Sequence, residues 1–428
     1  VKLRIVNPLS TLLIVSLLWA IPACAQGTDT PDQSDQGSAF SQAKFVPDIS
    51  LILDCSYLHR NIVDEEYEGL FLPGFLQSGD QAGSHEGFNL NYAEMSLYSV
   101  VDPYFELFAI LHLSEEHVHL EEAYWLTKRL PAGFQLKAGK FLSSFGRINE
   151  LHEHYWDFAD RPLVHRAMFG EEGLNEIGAR VTWVAPTDFY LMLGGEALMG
   201  ANEGSYGRTG FSLPQDGVDV HGVRGPGLFV GYLKTSLDID DASVLVGVSG
   251  ARGQTRNDEG FSSGVADGQA YSGSTTVLGC ELTMKWALDA IRYVSVQSEY
   301  LWRRVDATSY SLNQTQHMYQ AALEKRQSGF YAQAVTKFSP RMRAGIRLDL
   351  LGENTVTLAG ERADLPDNLA RMSGMIEFSP TEFSRIRLQF IHDNAMFSGA
   401  APQFNRTSVD EVTLQVNLAI GAHGAHAF

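Results

Sequence analysis

The sequence predicts an all-β chain, a transmembrane antiparallel β-barrel of about sixteen strands in the porin-like manner. Three observations predict it. Apolar and polar residues alternate with period two along most of the chain. Tight turns alternate strictly with long polar loops. Beyond the N-terminal segment, no uncharged apolar run is long enough for a spanning helix.

The elements follow in order. Val1-Lys2-Leu3-Arg4 is basic, Leu12 to Ile21 is apolar, and Pro22-Ala23-Cys24-Ala25 offers a small-residue cleavage site. Residues 1–25 therefore read as a secretory signal peptide cut after Ala25. A lipoprotein leader lipidated at Cys24 is the rival, and Pro22 fits it poorly. Residues 26–44, rich in Pro, Ser, Gln, Gly and Asp, read as a flexible periplasmic tail. Residues 45–428 are left for the barrel.

Strand after strand repeats the alternation. Ile49, Leu51, Leu53 and Cys55 alternate with Ser50 and Asp54. Phe105, Leu107, Ala109 and Leu111 alternate with Glu106 and His112, and Ile177, Ala179, Val181 and Trp183 with Arg180 and Thr182. Leu278, Cys280, Leu282 and Met284 alternate with Glu281, Thr283 and Lys285. Ile346, Leu348 and Leu350 alternate with Arg347 and Asp349, and Ile386, Leu388 and Phe390 with Arg385, Arg387 and Gln389. Val412, Leu414, Val416 and Leu418 close the series against Thr413, Gln415 and Asn417. Side chains on a strand point alternately to opposite faces, so each segment has one apolar and one polar face.

Turns are expected near Asp102-Pro103, Pro131-Ala132-Gly133, Pro186-Thr187, Asp238-Ile239-Asp240, Leu288-Asp289, Ser339-Pro340-Arg341 and Ser379-Pro380-Thr381. Between them lie polar stretches 58–86, 142–176, 200–226, 253–272, 305–327, 352–368 and 393–410, with a short connection at Ser114–His117. Seven turns and eight loops give about sixteen strands of roughly ten residues, the length of a tilted spanning strand. Closure satisfies every backbone hydrogen bond in lipid. A secreted propeller or large sandwich is the competing architecture, and it would not segregate loops by length. The terminal Phe428, on an alternating strand, resembles the signal read by the barrel-assembly machinery, which places the chain in the outer membrane.

Composition bounds the partners. The chain has 32 Lys+Arg against 51 Asp+Glu, a net charge of −19, or −21 without Lys2 and Arg4 of the leader. Such a balance excludes a nucleic-acid binder, which needs a basic face. Of 3 cysteines, Cys24 lies in the leader, while Cys55 and Cys280 fall on lipid-facing parities of non-adjacent strands and read as small hydrophobes.

Lys140-Phe141-Leu142-Ser143-Ser144-Phe145-Gly146-Arg147 resembles a segment of phosphate-selective porin O/P-like barrels. Residues 148–173 and the ending Gly421-Ala422-His423-Gly424-Ala425-His426-Ala427-Phe428 resemble a proteobacterial group labelled "zinc-regulated TonB-dependent outer membrane receptor". The first resemblance implies a porin. A TonB-dependent receptor would also need a plug domain and a barrel of about 22 strands, and the short polar tail ahead of the first strand leaves no room for such a plug.

The alternation assigns a basic lumen wall. Arg180 lies on the sixth strand, and Arg303, Lys337, Arg343, Arg347, Arg371, Arg385 and Arg387 on the eleventh to fifteenth. Loop 142–176 holds Glu150, Glu153, Asp157, Asp160, Glu171 and Glu172. In sixteen-stranded porins the third loop folds inward. Acidic loop residues opposite an arginine wall would set a transverse field at the narrowing. Arg343, Arg385 and Lys337, close to turns, are expected at the periplasmic rim. Arg180, Arg303, Arg347 and Arg371 with Glu150, Glu153, Asp157 and Asp160 are the selectivity candidates.

The histidines give a second pattern. His117, His119 and Glu121 are spaced to share a strand face, and His152 and His154 sit two apart in the loop. His423 and His426 lie near the end. Imidazoles with carboxylates suit Zn²⁺, and the plainer reading is polar loop and pore-lining residues. No cofactor is otherwise implied. Neither an H-E-x-x-H helix motif nor a G-x-S-x-G elbow occurs, so no enzyme is expected. The expected function is passive conduction of small hydrophilic solutes or ions. The alternative is a receptor barrel for a metal ion or complex. A homotrimer is compatible with the lipid-facing aromatic residues.

Overall fold

The computed structural model describes residues 47–75, 84–114, 118–202, 204–259, 261–264, 267–400 and 403–421. The leader, the tail, His117, His423, His426 and Phe428 lie outside the described residues. Sixteen strands form the wall: β1 (Asp48–Arg60), β2 (Gly87–Val100), β3 (Phe105–Leu113), β4 (Val118–Thr127), β5 (Phe134–Leu142), β6 (Asn175–Val184), β7 (Tyr190–Leu198) and β8 (Leu228–Ile239). They continue as β9 (Ala242–Glu259), β10 (Gln269–Ala287), β11 (Tyr293–Leu312), β12 (Met318–Ser339), β13 (Met342–Leu358), β14 (Leu369–Thr381), β15 (Ser384–Asp393) and β16 (Val409–Ile420). Each pairs antiparallel with its sequence neighbour. β1 closes the ring on β16, from Leu51↔Ile420 to Arg60↔Glu411. The fold is thus the closed sixteen-stranded barrel that the alternation predicts.

The turns fall where Pro, Asp and Gly cluster. At one of them Ala132 and Gly133 both take positive φ, 59° and 80°, between β5 and the preceding strand. A Cβ on Gly133 would stand 2.4 Å from the Val184 carbonyl oxygen, so this turn needs its glycine.

Five strands are far longer than ten residues: β9 to β13 run for 18, 19, 20, 22 and 17 residues. Stretches 253–272, 305–327 and 352–368, expected as loops, are largely strand. The ladder continues to Glu259↔Gln269 and Leu312↔Met318. These extensions carry polar residues on both faces, as in Gln254-Thr255-Arg256-Asn257-Asp258, so they lack the one-sided apolar pattern by which the lower strands are recognised. A hairpin, Phe211–Leu213 with Val218–Val220, packs Phe211, Leu213 and Val218 onto Phe261, Ala270 and Leu312.

The two barrel faces differ as the period requires. Ile346 (70 % exposed), Met372, Leu388 and Leu414 point out, while Arg347, Asp349, Arg387 and Gln415 point in. An apolar exterior is stable only against lipid or detergent. Ile346 stands four residues beyond the start of β13, hence about 10 Å into an apolar band about 25 Å tall. Ile346→Arg is therefore expected to cost about 2–4 kcal/mol, read by urea unfolding in lipid vesicles. A neutral result would remove this face from the hydrocarbon.

Candidate functional site

The chain between β5 and β6, residues 143–174, turns into the lumen. Its short helix α1 (Leu163–Phe169) is buried along its whole length. An apolar cushion receives it: Leu163, Val164, Met168 and Phe169 join Phe145 in one cluster with Leu198, Leu228, Val277, Leu301, Tyr331 and Leu351 of the wall. Burying side chains of this size contributes roughly 1.5–3 kcal/mol each. Two wall glycines make the approach close. A Cβ on Gly279 would lie 3.0 Å from the Phe145 ring, and one on Gly329 would lie 2.9 Å from Val164 Cγ2.

Polar anchors fix the path of the loop. Glu196 accepts bonds from Ser143 Oγ at 2.5 Å and the Ser144 N–H at 2.9 Å. Lys234 Nζ donates to the Gly146 carbonyl at 2.7 Å and lies 3.1 Å from Glu150. Glu299 accepts from the N–H groups of Arg147 and Ile148 at 3.0 and 2.9 Å, and from Tyr331 Oη at 2.6 Å; His165 Nε2 is 3.2 Å away. Asp349 takes the Leu163 N–H at 2.8 Å.

The basic residues lie in the interior, and the loop lies upon them. Asp160 pairs with Arg347 at 2.5 Å and Arg371 at 2.9 Å, and Asp157 pairs with Arg343 at 2.8 Å. Arg303 donates to the Gly204 carbonyl at 2.8 Å and to Gln327, and Arg180 bonds Ser144 Oγ. Arg303, Arg347 and Arg371 are only 2, 2 and 3 % exposed. The expected geometry, acids on the loop facing arginines across an opening, is therefore corrected: Asp157 and Asp160 neutralise the wall by contact. Arg343 and Arg385 lie beside their turns as expected, each the second residue of its strand, and from there they also reach the loop. Arg343 meets Asp157, and Arg385 donates to the His154 carbonyl at 2.9 Å. Lys337, the direct partner of Arg343 across β12 and β13, lies next to the same turn. Burial opposes ionisation of Asp160, but Arg347 and Arg371 hold its carboxyl below the usual range.

Polar cavities lie beside the loop. One of about 380 Å³ is lined by Arg60, Glu153, Arg161 and Arg371, among others. Another, of about 570 Å³, is lined by Glu259, Arg303 and Lys325. Arg166 and Glu171, paired at 2.9 Å, line both. Sequence reasoning missed Arg161 and Arg166, because the acidic residues dominate the loop's composition.

The histidine pattern is partly gathered. Glu121, His152 and His154 come together with Glu94, His112 and Glu122, three residues that sequence reading passed over as ligands. His112 Nε2 lies 2.7 Å from Glu121 and 3.6 Å from Glu94; His152 lies 3.4 Å from Glu121 and 3.0 Å from Glu122; His154 lies 3.1 Å from Glu94. His119 stays outside, exposed, with Nε2 3.4 Å from Lys140 Nζ. The shared face proposed for His119 and Glu121 is broken by a bulge: Ile110 pairs with Glu122 and Leu111 with Leu120, leaving Glu121 as the extra residue. The bulge aims Glu121 inward beside Glu122. The structural signal was available in register form, since Glu94 and His112 are direct partners across β2 and β3.

No family model matches the sequence. An uncharacterized protein of Aquifex aeolicus (strain VF5) is 45 % identical over 405 residues, covering 92 % of this chain and 82 % of that one. Among solved structures, OmpT, an outer membrane protein of Vibrio cholerae, superposes with TM-score 0.51 at 9 % identity, covering 87 % of this chain and 97 % of that one. That likeness confirms the fold. The outer membrane channel DcaP of Acinetobacter baumannii gives TM-score 0.49 at 10 % identity, over 89 % and 99 % of the two chains.

Proposed function

We propose, for a chain that belongs to one family with the uncharacterized Aquifex aeolicus protein and shares the barrel fold of OmpT, that it is an outer-membrane porin. It conducts small hydrophilic solutes or ions passively, and loop 143–174 narrows its lumen. One observation carries the reading: a closed barrel with an apolar exterior holds, beside its inward loop, two cavities lined by charged side chains. Charged linings next to a narrowing govern which ions pass.

The test is conductance of the folded protein in a planar bilayer. Discrete ohmic steps in KCl are expected. Folded protein that yields no steps would overturn the porin. The second reading, a receptor barrel for a metal ion or complex, draws on the imidazole and carboxylate cluster, and silence in the bilayer with saturable metal uptake would favour it.

A further inference from the structure

We propose that Glu94, His112, Glu121 and His152 together bind one resident divalent transition-metal ion of the zinc class, which ties the root of loop 143–174 to β2, β3 and β4. The donors come from three neighbouring strands and the loop. Ligand atoms of Glu94, Glu121 and His152 all lie within 4.8 Å of one another. In a tetrahedral zinc site with bonds of about 2.0–2.1 Å, neighbouring ligand atoms stand about 3.3 Å apart. The separations of 3.4 Å for His152–Glu121 and 3.6 Å for His112–Glu94 match that spacing. The 2.7 Å separation of His112 and Glu121 has to open by about half an ångström.

Three buried atoms point at this spot without a hydrogen bond: His112 Nε2, Glu121 Oε2 and His152 Nδ1. They meet one another as ion pairs, at 2.7 Å for His112 with Glu121 and 3.4 Å for His152 with Glu121, and have no partner in hydrogen-bond geometry, which is uncommon for buried polar atoms. A cation between them would satisfy all three. The surrounding residues are arranged as metal sites arrange theirs. His152 Nε2 is held by Glu122 at 3.0 Å, and Glu122 is itself fixed by the Leu142 N–H at 2.6 Å. Glu94 is held by His154 Nδ1 at 3.1 Å, and His112 stacks on Tyr92 with centroids 5.1 Å apart. Two nitrogens and two oxygens favour zinc or its neighbours over Mg²⁺ or Ca²⁺, which prefer oxygen alone. A cavity of about 140 Å³ is lined by His112, Glu121 and His152.

The proposal stands apart from conduction, so its test is separate. The full folded chain in detergent, stripped with chelator, is titrated with CoCl₂ and followed by visible absorption. One equivalent is expected to give a d–d band that ZnCl₂ abolishes. His152→Ala changes a loop residue, so the barrel folds; it is expected to weaken binding at least tenfold, and Glu122→Gln by about 10–100-fold. His119→Ala is expected to bind like the parent. Absence of the band in folded protein, an unaffected His152→Ala, or loss of the site in His119→Ala would each overturn it.

Discussion

Replacing Glu299 with alanine is expected to detach the lumen loop and raise single-channel conductance, while leaving the barrel closed. Glu299 is 1 % exposed and serves two backbone N–H groups of the loop, Arg147 and Ile148, together with Tyr331 and the loop's His165. Without it, these buried donors have no acceptor, at about 1–3 kcal/mol each. The loss falls on the loop, because the ladders of β11 with β10 and β12 use backbone atoms that the substitution leaves intact. Limited proteolysis within 143–174 should become faster together with the conductance change. Glu299→Gln keeps the shape and one acceptor oxygen, so its effect should be intermediate. Gly146→Ala tests the same contact from the other side. Gly146 has φ +69°, and a Cβ there would lie 2.1 Å from Glu299 Oε2. Parent-like conductance and protease resistance in both Glu299→Ala and Gly146→Ala would show that the loop is held by its apolar cushion alone.

That cushion marks where the sequence stopped being legible. Ile386, Leu388 and Phe390 against Arg385, Arg387 and Gln389 announce a strand and its two faces, and the structure keeps each parity. Val277, Leu301 and Leu351 sit on the inward parity of strands whose inner face is otherwise polar. Taken one strand at a time, they look like lapses in the alternation. Placed side by side by the ladder, they form the surface on which α1 rests. The metal candidates divide the same way. Spacing along one strand suggested His119 with Glu121, and a single bulged residue undid it. The cluster that does form draws on β2, β3, β4 and the loop, and no window along the chain contains all four. Register and loop path, both long-range properties, decide the site; local patterning decides the wall. Length failed for a different reason: where β9 to β13 leave the apolar band, both faces meet polar surroundings and the period that reports a strand disappears.

Neutralising Arg347 and Arg371 together, as Arg347→Gln with Arg371→Gln, is expected to shift the channel toward cations. Both arginines contact Asp160 and Asp349: Arg347 at 2.5 and 2.9 Å, Arg371 at 2.9 and 3.6 Å. In the parent the two charges of each sign cancel locally. The double variant leaves two carboxylates uncompensated, with Asp160 on the wall of the 380 Å³ cavity. A unit charge about 8 Å from a permeant ion acts with about 0.5 kcal/mol in bulk water and about 2 kcal/mol at an effective dielectric of 20. Two such charges change the K⁺ to Cl⁻ permeability ratio several-fold or more, which a reversal potential under a KCl gradient resolves. Asp160→Asn leaves the arginines in excess and should move the potential the opposite way. The pH dependence follows from the same pairing. Arg347 and Arg371 hold the Asp160 carboxyl low against the effect of burial; removing them lets burial raise it. Protonation then cancels the added negative charge as pH falls, so the cation shift should be largest at pH 8 and shrink toward pH 5. Burial also makes each unpaired carboxylate costly, about 3–5 kcal/mol when one partner of a buried pair is removed. The loop should therefore loosen as the selectivity changes. An unchanged reversal potential at pH 8, with folded protein and open channels, would show that permeant ions do not feel this wall.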